Sequence, residues 1–240
     1  MVAALVALTA PSFAVVGPSA EGGGLAAHVV MVLKRSANTA GFCTGTVVAP
    51  NAILTAAHCV GRAADTRVHY RDGGGAPMLL AVAEVAINPG FRADAIRTRE
   101  RSIDLALVRL TEPLPGRFHP APLDTSGDVA IGHQFRLAGF GVAREAAAET
   151  GGVLRVAVLA ARAPLSTVLL WAEDPSGGGA GACAGDSGAP VFAKDDAVVV
   201  AVTSWASGSG AGHCGSLTQA VLVKPQGTWI GAVLARWGTR

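Results

Sequence analysis

Cys183-Ala184-Gly185-Asp186-Ser187-Gly188-Ala189-Pro190 sets one serine between two glycines, directly after an acid. Gly, Asp and Ser are turn formers, so the octapeptide reads as a tight bend between strands. Such a bend also suits a nucleophile. A reactive serine needs an exposed hydroxyl and nearby backbone N–H groups that meet a developing oxyanion. Gly185 carries no Cβ, so the backbone there can come close to a substrate. On its own the stretch is equally a plain turn; the rest of the chain decides.

That remainder reads as all-β. Short apolar runs are broken by Gly, Pro, Asn and Asp, and 31 glycines in 240 residues favour many turns over long helices. A chain of this length has ample core for one large β domain or two packed smaller ones. Only 15% of residues are charged and the net charge is +2, with no basic patch or charged tail to suggest a nucleic-acid partner. No internal apolar run is long enough to span a bilayer.

Residues 2–10 form an uncharged apolar run, followed by Pro11-Ser12-Phe13-Ala14. Ser12 and Ala14 put small side chains where a signal peptidase reads, so residues 1–14 are expected to be a signal peptide and the mature chain to begin Val15-Val16-Gly17. The basic segment usual at the start of such peptides is missing. Secretion would turn the four cysteines into a disulfide framework, whose pairing the spacing leaves open. None of them has zinc-site spacing.

Residues 28–34 (HVVMVLK) read as a buried strand. Residues 44–48 and 52–55 read as two strands around the Pro50-Asn51 turn, leading into Ala56-Ala57-His58-Cys59. Small neighbours leave the His58 ring room and access. Strands are expected near 67–70 and 78–87, with a polar, solvated loop over 88–101. In Ile103-Asp104-Leu105-Ala106-Leu107 large aliphatics alternate as in a strand. Asp104 sits among them, where a buried carboxylate needs a partner, although alone it reads as a turn cap. Residues 111–124 hold four prolines and look like a crossover between halves. Further strands are expected over 131–141, 153–161, 197–205 and 217–223. Trp229, Val233 and Trp237 then recur at helical spacing over 225–237.

His58, Asp104 and Ser187, in that order, resemble the chymotrypsin/trypsin-like serine peptidases. So do Val15-Val16-Gly17, Thr55-Ala56-Ala57-His58-Cys59, the strand Asp104-Leu105-Ala106-Leu107-Val108-Arg109-Leu110, Gly139-Phe140-Gly141 and Ser204-Trp205. The resemblance covers nearly the whole chain after residue 14. It implies two perpendicular six-stranded antiparallel β-barrels, residues 15–120 and 121–240, with a short C-terminal helix and the active site between them. It further implies Ser187 as nucleophile, His58 as general base and acid, and Asp104 as the group that orients His58, with Ser204 beside it. The oxyanion hole would be the Gly185 and Ser187 N–H groups. Cys43 would pair with Cys59 and Cys183 with Cys214, without the further disulfides of many animal relatives, as in bacterial secreted members. The Val15 amine would pair with Asp186.

The same resemblance places the substrate pocket at Gly181, Ala182, Ser204, Trp205, Ala206 and Thr218. Gly181 at its base offers no counter-ion for Lys or Arg, so a small or medium aliphatic residue is expected before the scissile bond. The expected protein is a secreted, monomeric endopeptidase acting on proteins or peptides, with no metal, cofactor, nucleic-acid or membrane partner. Two other readings use the same residues: a silent homologue that only binds, and an esterase.

Overall fold

The computed structural model describes residues 15–36, 39–98, 100–208 and 212–239; the expected signal peptide lies outside them. The first barrel is built from β2 (Val29–Ser36), β3 (Thr39–Ala49), β4 (Ala52–Thr55), β5 (Thr66–Arg71), β6 (Pro77–Ile87) and β7 (Ala106–Leu110). It closes in the order β2-β3-β4-β7-β6-β5, with β5 pairing back onto β2 from Thr66↔Lys34 to His69↔Met31. The second uses β8 (Gln134–Gly139), β9 (Arg155–Ala161), β10 (Leu169–Glu173), β11 (Pro190–Ala193), β12 (Val199–Ser207) and β13 (Leu217–Leu222). Its order is β9-β10-β13-β12-β11-β8, and the β8–β9 pairing closes the ring. Every pairing within the barrels is antiparallel, so both are six-stranded antiparallel barrels.

Three apolar clusters follow from the two-residue period of a strand. Val30, Val32, Ile53 and Val108 point into the first barrel. Leu137, Leu159, Leu170 and Val191 fill the second. The third cluster draws on both barrels: Leu54, Leu105 and Leu107 meet Phe192, Val202 and Val221, with Trp237 of the C-terminal helix. Thus β7 is buried on both faces, which is why its sequence is a nearly continuous apolar run rather than an alternation.

Two segments cross from one barrel to the other. β1 (Ala20–Glu21) pairs with β9 of the second barrel, and just before it Val16 bridges Gly181. Residues 15–21 therefore attach to the second barrel, although the sequence groups them with the first. At the other end α2 (Gly227–Trp237) returns to the first barrel, where Arg236 Nη2 lies 2.9 Å from Glu84 Oε1 on β6. Gly238 closes this helix in the left-handed region at φ 66°. The loop expected over 88–101 also contains a single helical turn, α1 (Ala95–Thr98).

Candidate active site

Asp104 precedes β7, and its carboxylate is nearly buried, with 10% side-chain exposure. It accepts three hydrogen bonds. The His58 backbone N–H donates to Oδ1 at 3.0 Å, His58 Nδ1 lies 2.7 Å from Oδ2, and Ser204 Oγ donates to Oδ2 at 2.5 Å. Burial pushes this carboxyl up, but the His58 hydrogen bonds and charge, with Ser204, outweigh it and hold Asp104 below the usual carboxylate range. An ionised Asp104 acts as acceptor, so Nδ1 carries the proton and Nε2 is left with a free lone pair. His58 sits in a one-turn 3-10 segment (Ala57–Cys59) after β4. The disulfide from Cys59 to Cys43 of β3 ties that turn to the barrel.

Ser187 stands on the bend before β11 and lines the same cleft as His58 and Asp104, a space of about 890 Å³. The bend needs its glycines. Gly185 has φ 95°, and a Cβ there would lie 2.2 Å from the Phe42 ring; Gly188 has φ 79°, and a Cβ would fall 2.2 Å from the Thr44 carbonyl oxygen. Among the described residues the N–H groups of Gly185 and Ser187 have no acceptor, although their neighbours Asp186, Gly188 and Ala189 all donate within the bend or to Thr203. Two free donors on one bend, two residues apart and one of them the serine's own, could together receive an anion. The second disulfide, Cys183–Cys214, anchors the start of this bend.

Strand β3 of the other barrel braces the bend, through contacts that sequence reasoning missed. Thr44 N–H donates to Ser187 O at 2.8 Å. Thr44 Oγ1 donates to Gly185 O at 2.9 Å and accepts from Phe140 N–H at 3.0 Å. A lone Thr in a β-branched strand gives no hint of such a role.

Asp186 turns inward and is wholly buried. It accepts N–H bonds from Gly141 at 2.8 Å and Cys183 at 3.0 Å. Burial lifts its carboxyl to about 7 because these two bonds offset only part of the lost hydration. Val15 is also wholly buried. Its nitrogen is a peptide nitrogen in this chain, which runs on from Ala14.

The family model for trypsin matches residues 15–230. The chain belongs to the trypsin family. A vitellin-degrading protease of Bombyx mori is 30% identical, over 76% of this chain and 72% of that protein. Snake venom serine proteinase 14 of Crotalus adamanteus is 28% identical, over 68% of this chain and 66% of its own length. Mouse neuropsin, a brain serine protease, superposes with a TM-score of 0.68 at 21% identity, over 85% of this chain and 93% of that one. That last likeness concerns the fold. As a trypsin-family protein the chain is a serine-type endopeptidase, and its substrates are proteins or peptides.

Within this trypsin-family cleft, Ser204, Trp205 and Ala206 line the wall. Gly181, Ala182 and Thr218 do not; they are buried behind it. Thr218 Oγ1 accepts from Ala182 N–H at 3.0 Å, and a Cβ on Gly181 would meet the Gly215 backbone at 3.0 Å. The cleft also takes in Trp171 and Gln219, which the sequence did not single out. Cys43, His58 and Cys59 cluster closely enough to suggest a metal site, but both sulfurs are joined to each other, which leaves no thiolate to ligate one. Among the described residues no helix is long and apolar enough to cross a membrane.

Proposed function

We propose that this chain is a secreted endopeptidase that cuts peptide bonds through Ser187, with His58 as general base and Asp104 as its orienting partner. The supporting observation is the hydrogen-bonded run Ser204–Asp104–His58, which opens on the cleft that holds Ser187 and the two free N–H donors. In the first step Ser187 Oγ bonds to the scissile carbonyl carbon while its proton moves to His58 Nε2. The Gly185 and Ser187 N–H groups take the oxyanion, a donor of this kind being worth about 3–4 kcal/mol. His58 then returns the proton to the leaving amine as the C–N bond breaks. Water, activated by the same imidazole, hydrolyses the acyl-enzyme and restores the Ser187 hydroxyl.

The sheet offers a place for the substrate backbone. β11 pairs with β12 only as far as Val202, and Thr203 bonds the bend through Ala189 and Gly188. Beyond it, residues 204–207 keep one edge free of any described strand. A substrate added antiparallel on that edge has its scissile bond near Ser204 and its N-terminal part beyond Ala206. The Ala206 methyl stands on the cleft wall, and Gly181, Ala182 and Thr218 are buried behind that wall, so the space before the cut suits a small or medium aliphatic residue. They offer no acid to Lys or Arg.

A free α-amine at Val15 would supply the cation that buried Asp186 lacks, which supports maturation by removal of residues 1–14. The mature protein is a monomer without nucleic-acid or membrane partners in this reading.

The test is labelling of the secreted protein by a fluorophosphonate, with Ser187→Ala beside it. Labelling that vanishes in the variant, with turnover down about 10⁶-fold, is expected. A folded, processed protein that never labels would leave the silent binding homologue. Ester cleavage without peptide cleavage would leave the esterase. A preference for Arg over Ala or Val at the cleavage position would refute the pocket assignment, and N-terminal sequencing that finds a start other than Val15 would refute the maturation step.

A further inference from the structure

Another groove, a space of about 560 Å³, is lined by both barrels and shares no lining residue with the cleft of Ser187 and His58. Met31 of β2 stands opposite His69 of β5. Val30, Val32 and Val68 belong to the core of the first barrel, so the alternate residues Met31, His69 and Arg71 face outward, into this groove. Arg117 and Phe118 of the 111–124 crossover extend the same side. The second barrel supplies Phe140, Val153 and Leu154.

The two sides differ in charge. His69, Arg71 and Arg117 all come from the first barrel, the second barrel's share is apolar, and no lining residue is an acid. Asp72, the acid next to Arg71, is turned into its own loop, where Oδ1 accepts from the Gly74 and Ala76 N–H groups at 2.9 Å. Arg117 lies 5.3 Å over the Tyr70 ring and 4.9 Å over the Phe118 ring, and its Nη2 donates to the Arg71 carbonyl. Arg71 Nη1 donates to Gly75 O at 2.9 Å. Among the described residues neither guanidinium pairs with a carboxylate. Each keeps N–H donors to spare, and like charges held together favour an anion beside them.

Strand pairing narrows the choice of occupant. β2 is paired on both edges, by β3 and β5, and β5 likewise by β2 and β6. Neither strand offers an open edge that could take an extended peptide as an added strand. A largely apolar hollow of this size between two packed units, with a few polar groups on one side, has the form of a small-ligand site. We propose that the groove binds a small amphipathic carboxylate, with its anionic end on Arg71 and Arg117 and its apolar body on Met31, Phe140 and Leu154. The guanidinium fork matches a carboxylate. The ligand touches both barrels, so it binds only their docked form and stabilises that form by mass action. It also rests on Phe140, whose N–H donates to Thr44 Oγ1 in the brace of the serine bend. The site stands apart from the endopeptidase reading and does not depend on it.

Calorimetric titration of the full chain with sodium decanoate, kept below its micelle concentration, tests this. One saturable site with a Kd of about 0.1 mM is expected for a ligand of this size. Decanoate at about 1 mM should then lower the unfolding constant about elevenfold, read as a raised Tm. Acetate, which lacks the tail, and decyltrimethylammonium, which reverses the charge, should each bind about tenfold more weakly or worse. Arg117→Gln should weaken decanoate about tenfold, and Arg117→Lys should keep most of the affinity. Where Arg117→Gln does not fold, Val153→Asp answers in its place: that side chain is on the surface, 45% exposed, and a carboxylate there repels the ligand with a similar loss. Unchanged decanoate affinity in these variants, equal binding of the cation, or uptake that never saturates would overturn the site. So would tighter binding of a short acidic peptide containing Phe, which would give the groove to a protein partner instead.

Discussion

Asp186 makes a measurable demand on the chain as it stands. Its carboxyl titrates at about 7 in the fold, against 3.8 for a free aspartate. Between those values the folded state holds a proton that the unfolded state has released. Stability must therefore fall as pH rises from about 4 to about 7, by about 4 kcal/mol for this one group. Asp186→Asn removes the titration and keeps one acceptor for the Gly141 or Cys183 N–H. Urea unfolding from pH 4 to pH 8, on protein that retains residues 1–14, should show the unmodified chain losing about 4 kcal/mol relative to Asp186→Asn, most of it below pH 7. Protein beginning at Val15 should behave differently. In the proposed ion pair its α-ammonium would meet Asp186, lower that carboxyl and raise its own pKa. The contribution then holds through neutral pH and is lost only as pH rises through the raised amine value. A flat or rising difference curve for the longer protein would refute the argument from burial. The same falling curve in protein beginning at Val15 would refute the ion pair.

Asp104→Asn keeps the shape of the site but cannot hold the Nδ1–H tautomer of His58, so turnover should drop about 10⁴-fold in a peptide assay while unfolding midpoints move little. Gly185→Ala places a methyl against Phe42 at positive φ and displaces an oxyanion donor, so acylation by fluorophosphonate should slow about 10²-fold or more. Replacing Cys183 and Cys214 together by Ala opens a loop with a sequence separation of 31, and denaturant unfolding should show a loss of about 3–4 kcal/mol.

The sequence reveals those parts of the molecule in which chemistry and chain order coincide. The bend at Ser187, the small residues around His58 and the strand carrying Asp104 are each local, so they are readable one at a time. β7 was legible because large aliphatics recur at every second position leading into it, Ile103, Leu105 and Leu107; the burial of its other face was not. β10 and β11 were not anticipated. β10 is short, and β11 opens on Pro190, which reads as part of the turn before it. The pocket wall was harder still. Whether Gly181 and Thr218 face the cleft or the barrel depends on how 215–218 folds against 180–182, a contact between segments that no local pattern encodes. Thr44 and Trp171 were invisible for the same reason: each matters only through a partner in another strand. Helix α2 was foreseen from its period of Trp and Val, but its return to the first barrel was not.

The bonds from Thr44 to the serine bend have a bearing on the life of the chain during synthesis. In the proposed mechanism the nucleophile Ser187 belongs to the later half, whereas the Thr44 bonds that clamp its bend, the base His58 and its partner Asp104 belong to the earlier half. A molecule in which either barrel is unformed, or in which the two have not docked, holds a serine with no base and a cradle with no brace. Such a molecule is chemically idle. A protease that could damage its own unfolded kin is thereby kept harmless until the last long-range contacts close, and recovery of labelling during refolding should trail the recovery of β structure in each barrel.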